Sequence, residues 1–388
     1  MRLLLVNSMC GIGSAGRLCM DIAKAYDHDG NEVRIAYGRS DYVPEESYPY
    51  AVRIGSDTDN MIHEIGTRLT DRHGLFSRKA TTEFLEWADE FDPDTLWLHN
   101  IHGYYLNYEL LFDWIKSRPN MSVKWTLHDC WSITGHCTRF SYIKCTKWIA
   151  RNPKGAIRDN TGCGNCPQKR NYPESWVVDY SRTGYLRKMK AFTGVSDMQI
   201  ITPSVWMKNI VKESFLGNYP IQVVYNKIDT GIFKPTPSQF RSEYGLSKKA
   251  YLILGVSNEW GHRKGLDDFI ELNNRLRHSA ATDGFGRKIQ IVLIGLSTRQ
   301  IKNLPEGIIG IERYKSPRKL AEAYSAADVV LNPTYDDSYP SVIMEAEACG
   351  TPVITYDTGG CAETIHISGS KAIPQGIDNL EKEVLRRI

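Results

Sequence analysis

The sequence predicts an α/β protein of two tandem domains, each a doubly wound parallel sheet. Three observations lead there. At 388 residues the chain exceeds one compact domain of roughly 150 residues. Short apolar strands alternate with amphipathic helical patterns, as βαβ units require. The alternation stops after Ile200-Ile201-Thr202 and then begins again.

The first strand covers 2–7, and a Gly11-x-Gly13-x-x-Gly16 turn opens a helix running to about Tyr26. Strands follow at 33–37, 95–99 and 123–127, with helices at 81–90 and 107–117. Ser204 suits the N-cap of a helix at 205–215, 221–225 is a strand, and Lys234-Pro235-Thr236-Pro237 reads as a connector. The second series places strands at 251–256, 289–294, 328–332 and 352–355 and helices at 265–277, 317–326 and 340–349. These elements predict an N-terminal domain at 1–204, with a Cys-rich basic insert at 130–190, and a C-terminal domain at 205–372. The tail at 373–388 is expected to pack back on the first domain.

Hydrophobic residues make up 41% of the chain and charged residues 24%, which excludes collagenous, coiled-coil and wholly disordered chains. The net charge of +3 is far from that of a dedicated nucleic-acid binder. It conceals a local excess: residues 139–190 carry 12 Lys and Arg against 3 acids, a net +9. Five of the nine cysteines fall in the same region, at 130, 137, 145, 163 and 166. The opening Met1-Arg2-Leu3-Leu4-Leu5-Val6-Asn7 is too short an apolar run for a secretory signal, and nothing approaches the length of a membrane span. The expectation is a cytoplasmic protein with reduced thiols.

Three motifs carry chemistry. Glycines at 11, 13 and 16, between a strand and a helix, let backbone approach a phosphate at a helix N-terminus. The strand after that helix ends Tyr37-Gly38-Arg39-Ser40, and Arg39 suits a 2′-phosphate, so an NADP-dependent oxidoreductase is one alternative. In the second motif a short helix opens at Pro340 and closes at Gly350 and Pro352. Its first amides, at Ser341 and Val342, can accept an anion. Glu345 lies one turn further on the same face, where a carboxylate can hold vicinal ribose hydroxyls, and Asp337 in the preceding loop can reach a second polyol. In the third, Arg263 and Lys264 stand beside Gly265 after a strand, placed to neutralise a diphosphate.

Thr202-Pro203-Ser204, Val224-Tyr225-Asn226-Lys227-Ile228-Asp229, Arg263-Lys264-Gly265, Ala326-Ala327-Asp328, 337–352 and Gly359-Gly360 together resemble the retaining GT-B-fold glycosyltransferases of family four. Thr126-Leu127-His128-Asp129-Cys130-Trp131 and Gly162-Cys163-Gly164-Asn165-Cys166-Pro167 narrow the resemblance to colanic-acid and exopolysaccharide transferases. The resemblance implies two facing Rossmann-like domains, the second holding a nucleotide-sugar and the first the acceptor. It implies that Glu345 binds the donor ribose, Asp337 touches the transferred sugar, and the Ser341 and Val342 amides meet the diphosphate. Lys264 matches the phosphate lysine, with Arg263 beside it, and His128 a histidine near the donor sugar. The sequence departs from the family pattern in having Asp337-x7-Glu345 for Glu-x7-Glu, Val256-Ser257 after Gly255, and Asn226-Lys227 for Asn-Gly. The family's same-face attack, in which the leaving phosphate takes the acceptor proton, asks for no side-chain base and no catalytic metal cofactor.

The expected reaction is transfer of a sugar from a nucleotide-sugar donor to a growing lipid-linked or oligosaccharide acceptor in exopolysaccharide or O-antigen-type biosynthesis. A nucleotide-sugar epimerase on the same fold and a catalytically dead sugar-binding protein are further alternatives. His99, Asn100 and His102, at the end of a strand, are the acceptor-side candidates. Cys137, Cys145, Cys163 and Cys166 offer four thiolates for a structural zinc; free buried thiols and a redox pair are the other readings. The +9 block, with Tyr142, Trp148, Tyr172 and Trp176 interleaved, points to an anionic membrane surface rather than nucleic acid. The resulting location is cytoplasmic and peripheral at the inner face of the cell membrane.

Overall fold

The computed structural model of the chain describes residues 1–39, 42–151, 162–278 and 288–388. Ser40 and residues 152–161 of the expected insert lie outside the described residues. The chain divides into two compact units, Met1–Val224 and Tyr225–Ile388.

Among the described residues, the first unit holds a seven-stranded parallel sheet: β1 (Arg2–Asn7), β2 (Glu32–Tyr37), β3 (Ala51–Arg53), β4 (Thr95–Leu98), β5 (Ser122–Thr126), β6 (Met198–Thr202) and β7 (Ile221–Val223). The spatial order is β3-β2-β1-β4-β5-β6-β7, so the sheet grows in opposite directions from β1 and β4. Ligands gather at the carboxyl ends of strands at such a switch point. Its helices are α1 (Gly13–His28), α2 (Asp57–Thr70), α3 (Arg78–Phe91), α4 (Tyr108–Lys116), α5 (Ser181–Phe192) and α6 (Val205–Glu213). Ser204 caps α6 as expected, its hydroxyl accepting the Met207 amide at 3.1 Å.

The second unit repeats the plan with β8 (Tyr251–Val256), β9 (Ile289–Ile294), β10 (Ile308–Ile311), β11 (Val329–Asn332), β12 (Val353–Tyr356) and β13 (Lys371–Ile373). The order is β10-β9-β8-β11-β12-β13, all parallel. Its helices are α7 (Phe240–Glu243), α8 (Leu266–His278), α9 (Thr298–Lys302), α10 (Pro317–Ala326), α11 (Ser341–Ala348) and α12 (Ile377–Leu385). Both sheets are apolar on both faces, as sheets covered by helices on each side must be; in β1, Leu3, Leu4, Leu5 and Val6 are all fully buried.

Three expectations are corrected. The break between units falls after Val224, because β7 pairs with β6 and completes the first sheet. The carboxy-terminal tail packs within the second unit: Leu380 and Val384 of α12 share a core with Leu272 and Leu276 of α8, and Arg275 binds Asp378 and Glu381. The described part of 130–190 is no appended insert. Cys137, Phe140, Trp148, Ala150, Cys163 and Tyr185 belong to the main core of the first unit, and Trp148 stacks on Phe140.

Candidate active site

In the second unit the switch point lies between β8 and β11, and the loops leaving these strands hold the predicted polar residues. After β8 the chain forms a short turn at His262–Lys264 and reaches Gly265 at φ +73°. A Cβ there would lie 2.3 Å from the Pro333 carbonyl oxygen, so only glycine lets the two loops meet. The Arg263 carbonyl accepts the Tyr335 amide at 2.8 Å, and the Arg263 guanidinium donates to the Asp336 carbonyl at 3.0 Å. Lys264 Nζ is ion-paired with the Asp337 carboxylate. Gly359, at φ +60°, backs this loop; its Cβ would sit 1.9 Å from the Asp337 carbonyl oxygen, and Gly360 donates its amide to that oxygen at 2.9 Å. Arg263, Lys264 and Asp337 are thus assembled in one place.

The helix after this loop is α11, opening at Ser341 behind Pro340 and closing at Cys349, with Gly350 at φ +84°. Its N-terminus carries no side-chain cap, which leaves the Ser341 and Val342 amides for an anion. Glu345 is buried one turn in, and its carboxylate accepts the Tyr324 hydroxyl at 2.9 Å. Burial first, and then the Glu345 charge, push the Tyr324 phenol well above its ordinary range, so Tyr324 stays a donor that orients the carboxylate. Tyr324 was not read from the sequence; it sits in an α10 that looks like ordinary core.

The first unit has its own polar cluster at the ends of β4 and β5. Its small cavity is lined by His99, Asn100, His102, His128 and Asp129, with Trp131 beside them. His99 Nδ1 and His128 Nε2 are 3.0 Å apart with their rings stacked. Burial lowers the pKa of both, His128 to about 4, so both imidazoles are neutral at pH 7. Asp129 is the residue the sequence reading quoted but left without a role. Its carboxylate lies 3.0 Å from His102 Nε2 and accepts the Trp131 amide at 2.9 Å. Burial alone would raise its pKa; His102 and the Trp131 amide outweigh that and hold it near about 2. His102 Nδ1 in turn lies 3.1 Å from the Tyr172 hydroxyl.

The glycine loop belongs to the first unit, whereas Ser341, Val342 and Glu345 belong to the second. Gly11 and Gly13 have φ of +72° and +68°, which favour glycine, and a Cβ on Gly16 would lie 3.2 Å from the Met9 carbonyl, a tight contact at the entry into α1. Arg39 is committed locally, lying over the Tyr104 ring and 3.8 Å from Glu64, so it is not held out for a 2′-phosphate.

The structure does not show the four-thiolate zinc site. Among the described residues no group of three or more His, Cys, Asp or Glu is arranged to hold a metal ion. The thiols are neighbours without forming such a group: Cys137 and Cys163 each interact with Cys166, and Cys163 Sγ accepts the Gly135 amide at 3.2 Å. Cys166 is hydrogen-bonded to Cys137, which lowers it to about 7 against the cost of burial, with His136 adding to the lowering.

Two parallel-sheet α/β units, one carrying paired cations beside an uncapped helix N-terminus, share their fold with solved GT-B structures. Residues 250–386, within the second unit, match the family described as Glycosyl transferases group 1. The chain is 25% identical over 410 residues to the glycosyl transferase WcaC of Escherichia coli (strain K12), named for colanic acid biosynthesis. That alignment spans 100% of this chain and 89% of WcaC. Among solved structures, sucrose-phosphate synthase from Thermosynechococcus elongatus superposes with a TM-score of 0.68 at 15% identity, covering 99% of this chain and 89% of that one. Anabaena HepE, in complex with UDP and glucose, gives 0.59 at 14% identity, covering 100% and 89%. These likenesses support neither the oxidoreductase nor the epimerase alternative.

Proposed function

We propose that the chain is a retaining glycosyltransferase that moves a sugar from a nucleotide-sugar to a lipid-linked or oligosaccharide acceptor in exopolysaccharide or O-antigen-type biosynthesis. The observation that carries this reading is the assembly of Arg263, Lys264, Asp337 and the α11 N-terminus at the switch point of the unit that matches the group 1 family. The similarity to WcaC supports the polysaccharide assignment, and the UDP bound in HepE supports a nucleotide-sugar donor.

In this reading the donor diphosphate enters beside Lys264 and Arg263 and caps α11 through the Ser341 and Val342 amides. Glu345, oriented by Tyr324, takes the ribose hydroxyls, and Asp337 takes a hydroxyl of the sugar. As the glycosidic bond breaks, negative charge builds on the departing phosphate. Fixed cations and helix amides lower that barrier without reorganising, each contact being worth a few kcal/mol. The Lys264–Asp337 pair gives Lys264 a partner before the donor arrives; the diphosphate takes over the ammonium and releases Asp337 for the sugar. His99, Asn100, His102 and His128 serve the acceptor and the sugar, and the protein works at the anionic inner face of a membrane.

The test is a thermal-shift screen of UDP-, GDP-, ADP- and dTDP-sugars, followed by NMR of the product anomer. One donor family should stabilise the protein and give a product of unchanged anomeric configuration. Inversion would refute the retaining assignment, and product from donor alone would make the protein an epimerase.

A further inference from the structure

Tyr172 ends a chain of polar groups that begins at Asp129. Its hydroxyl lies 3.1 Å from His102 Nδ1, and His102 Nε2 lies 3.0 Å from the Asp129 carboxylate. Asp129 is itself anchored, accepting the Trp131 amide at 2.9 Å. The order carboxylate, imidazole, phenol fixes where the protons sit. A neutral imidazole carries one N–H, and a carboxylate beside one nitrogen draws the proton there, in this case to Nε2. Nδ1 is then bare and can only accept, so the Tyr172 hydroxyl donates its single proton inward. The phenolic oxygen is left with lone pairs alone for a group arriving from solvent.

The ring is placed as firmly as its hydroxyl. His73 and Tyr104 meet it at interplanar angles of 76° and 78°, each with ring centroids 5.7 Å away, and His102 lies tilted at 5.9 Å. His73 and Tyr104 are buried, and His73 is fixed in turn by the Gly103 amide on its Nε2 at 3.3 Å. Tyr104 reaches this place at φ +67°, left-handed backbone that costs a residue other than glycine about 1–3 kcal/mol. Gly103, just before it, makes the turn at φ +122°. The loop after β4 is thus bent to support Tyr172, yet Tyr172 keeps 42% of its own surface exposed. A ring serving only the core would be covered. This one is held rigid and left open.

We propose that Tyr172 is the platform for the terminal pyranose of the acceptor, its ring taking the C–H face of the sugar and its oxygen accepting from one sugar hydroxyl, with Asp129 as a positioning residue that acts through His102. A pyranose presents those two surfaces, an apolar face and a rim of hydroxyls. An aromatic body with a polar tip matches both, and a site ordered in advance loses little freedom on binding. The place agrees: His102 and Asp129 follow β4 and β5, at the carboxyl ends of strands beside the switch point, where ligands gather. An oxygen that can only accept also sets a preference. It takes a sugar with a free hydroxyl at that position and rejects the O-methyl analogue, whose ether oxygen would face it with no proton between them. This deepens the acceptor reading of His102 proposed above and rests on it. Tyr172 becomes a sugar contact instead of one of the aromatics turned to a membrane.

The experiment has two arms on the full chain. The first is nitrogen-15 NMR of the histidine rings at pH 8, above the ordinary histidine pKa of about 6.5, with His102 assigned from the His102→Gln variant. Wild type should show a proton on Nε2 and a bare Nδ1, and Asp129→Asn should mix the two tautomers, which a merely structural Asp129 would not do. A proton on Nδ1, or on both nitrogens, in wild type overturns the proposal. The second arm is saturation-transfer NMR with the methyl pyranosides of glucose, galactose, mannose and fucose as probes. At least one should bind through its C–H face. Tyr172→Ala should abolish that signal, and Tyr172→Phe, which keeps the ring, should weaken binding about 3- to 10-fold. Unchanged melting and unchanged nucleotide-sugar binding check that both variants are folded. No binding of any probe by wild type, or equal binding by Tyr172→Ala, overturns the platform. Sugar transfer that Tyr172→Ala sustains at the wild-type KM for the acceptor overturns the platform and leaves the transferase reading. Pyranoside binding through Tyr172 with no transfer from any nucleotide-sugar overturns that reading and leaves the platform as a sugar-binding site.

Discussion

His102 Nε2 stands 3.0 Å from the Asp129 carboxylate. The pair joins the ends of two elements, the loop after β4 and the loop after β5, and its second imidazole nitrogen reaches Tyr172. A carboxylate with its pKa near about 2, against 3.8 ordinarily, binds fewer protons folded than unfolded. It therefore contributes stability above pH 4 and loses it as pH falls from about 4 to about 2.

Asp129→Asn should accordingly cost about 2 kcal/mol at pH 7, nearly two pKa units at 1.36 kcal/mol each. The gap from wild type should narrow at pH 3. Denaturant unfolding at both pH values measures it, and an equal gap at the two would show that the loss is not electrostatic.

Glu345→Gln keeps an oxygen for the Tyr324 hydroxyl but removes the charge. The fold should survive, with melting shifted by no more than about 3 °C. Loss of a charged hydrogen bond to the donor should lower kcat/KM about 10- to 100-fold, mainly through KM for the nucleotide-sugar. Unchanged kinetics would move the ribose contact to another residue.

Backbone chemistry fixes the loop positions of the second unit. Pro340 and Gly350 delimit α11, and Gly265 and Gly359 sit where a Cβ would strike Pro333 or Asp337, so the loop chemistry of the second unit was legible. The elements that escaped lack such signals. Strand β3 is three residues long, and α2 buries its polar side, Asn60, His63 and Thr67, so its apolar period points to the wrong face. The role of Asp129 depends on His102, 27 positions away, and the sequence gives no sign that the two meet. The described part of 130–190 read as a polar loop because its cysteines and cations are conspicuous. The fold absorbs several of them: Arg187 pairs with Glu109, and Lys147 donates to the carbonyls of Gly164 and Asn165.

Gly359→Ala tests how tightly the Asp337 loop is set. The residue has φ +60° and its Cβ would come within 1.9 Å of the Asp337 carbonyl oxygen, so the loop must shift. A cost of about 2–3 kcal/mol in stability is expected from backbone strain and the clash, together with weaker nucleotide-sugar binding. Calorimetry of donor binding reads the second effect; full affinity in a destabilised variant would separate Asp337 from the donor.

Lys188 is 2% exposed and donates to the carbonyls of Trp131 at 2.8 Å and Thr134 at 3.0 Å, with its ammonium over the Trp131 ring. Burial lowers its pKa from 10.5 to about 7, although Cys163, Cys137, Asp129 and Asp71 pull the other way. Between those values the unfolded chain holds a proton that the folded chain has released. Stability from this group must therefore rise with pH from about 7 to about 10.5. Measured against Lys188→Met at each pH, which cancels the other titrating groups, wild type should gain on the order of 2–4 kcal/mol between pH 7 and pH 10. A difference that stays flat across that range would mean that the folded protein keeps Lys188 charged, its two carbonyl partners and the indole face outweighing burial.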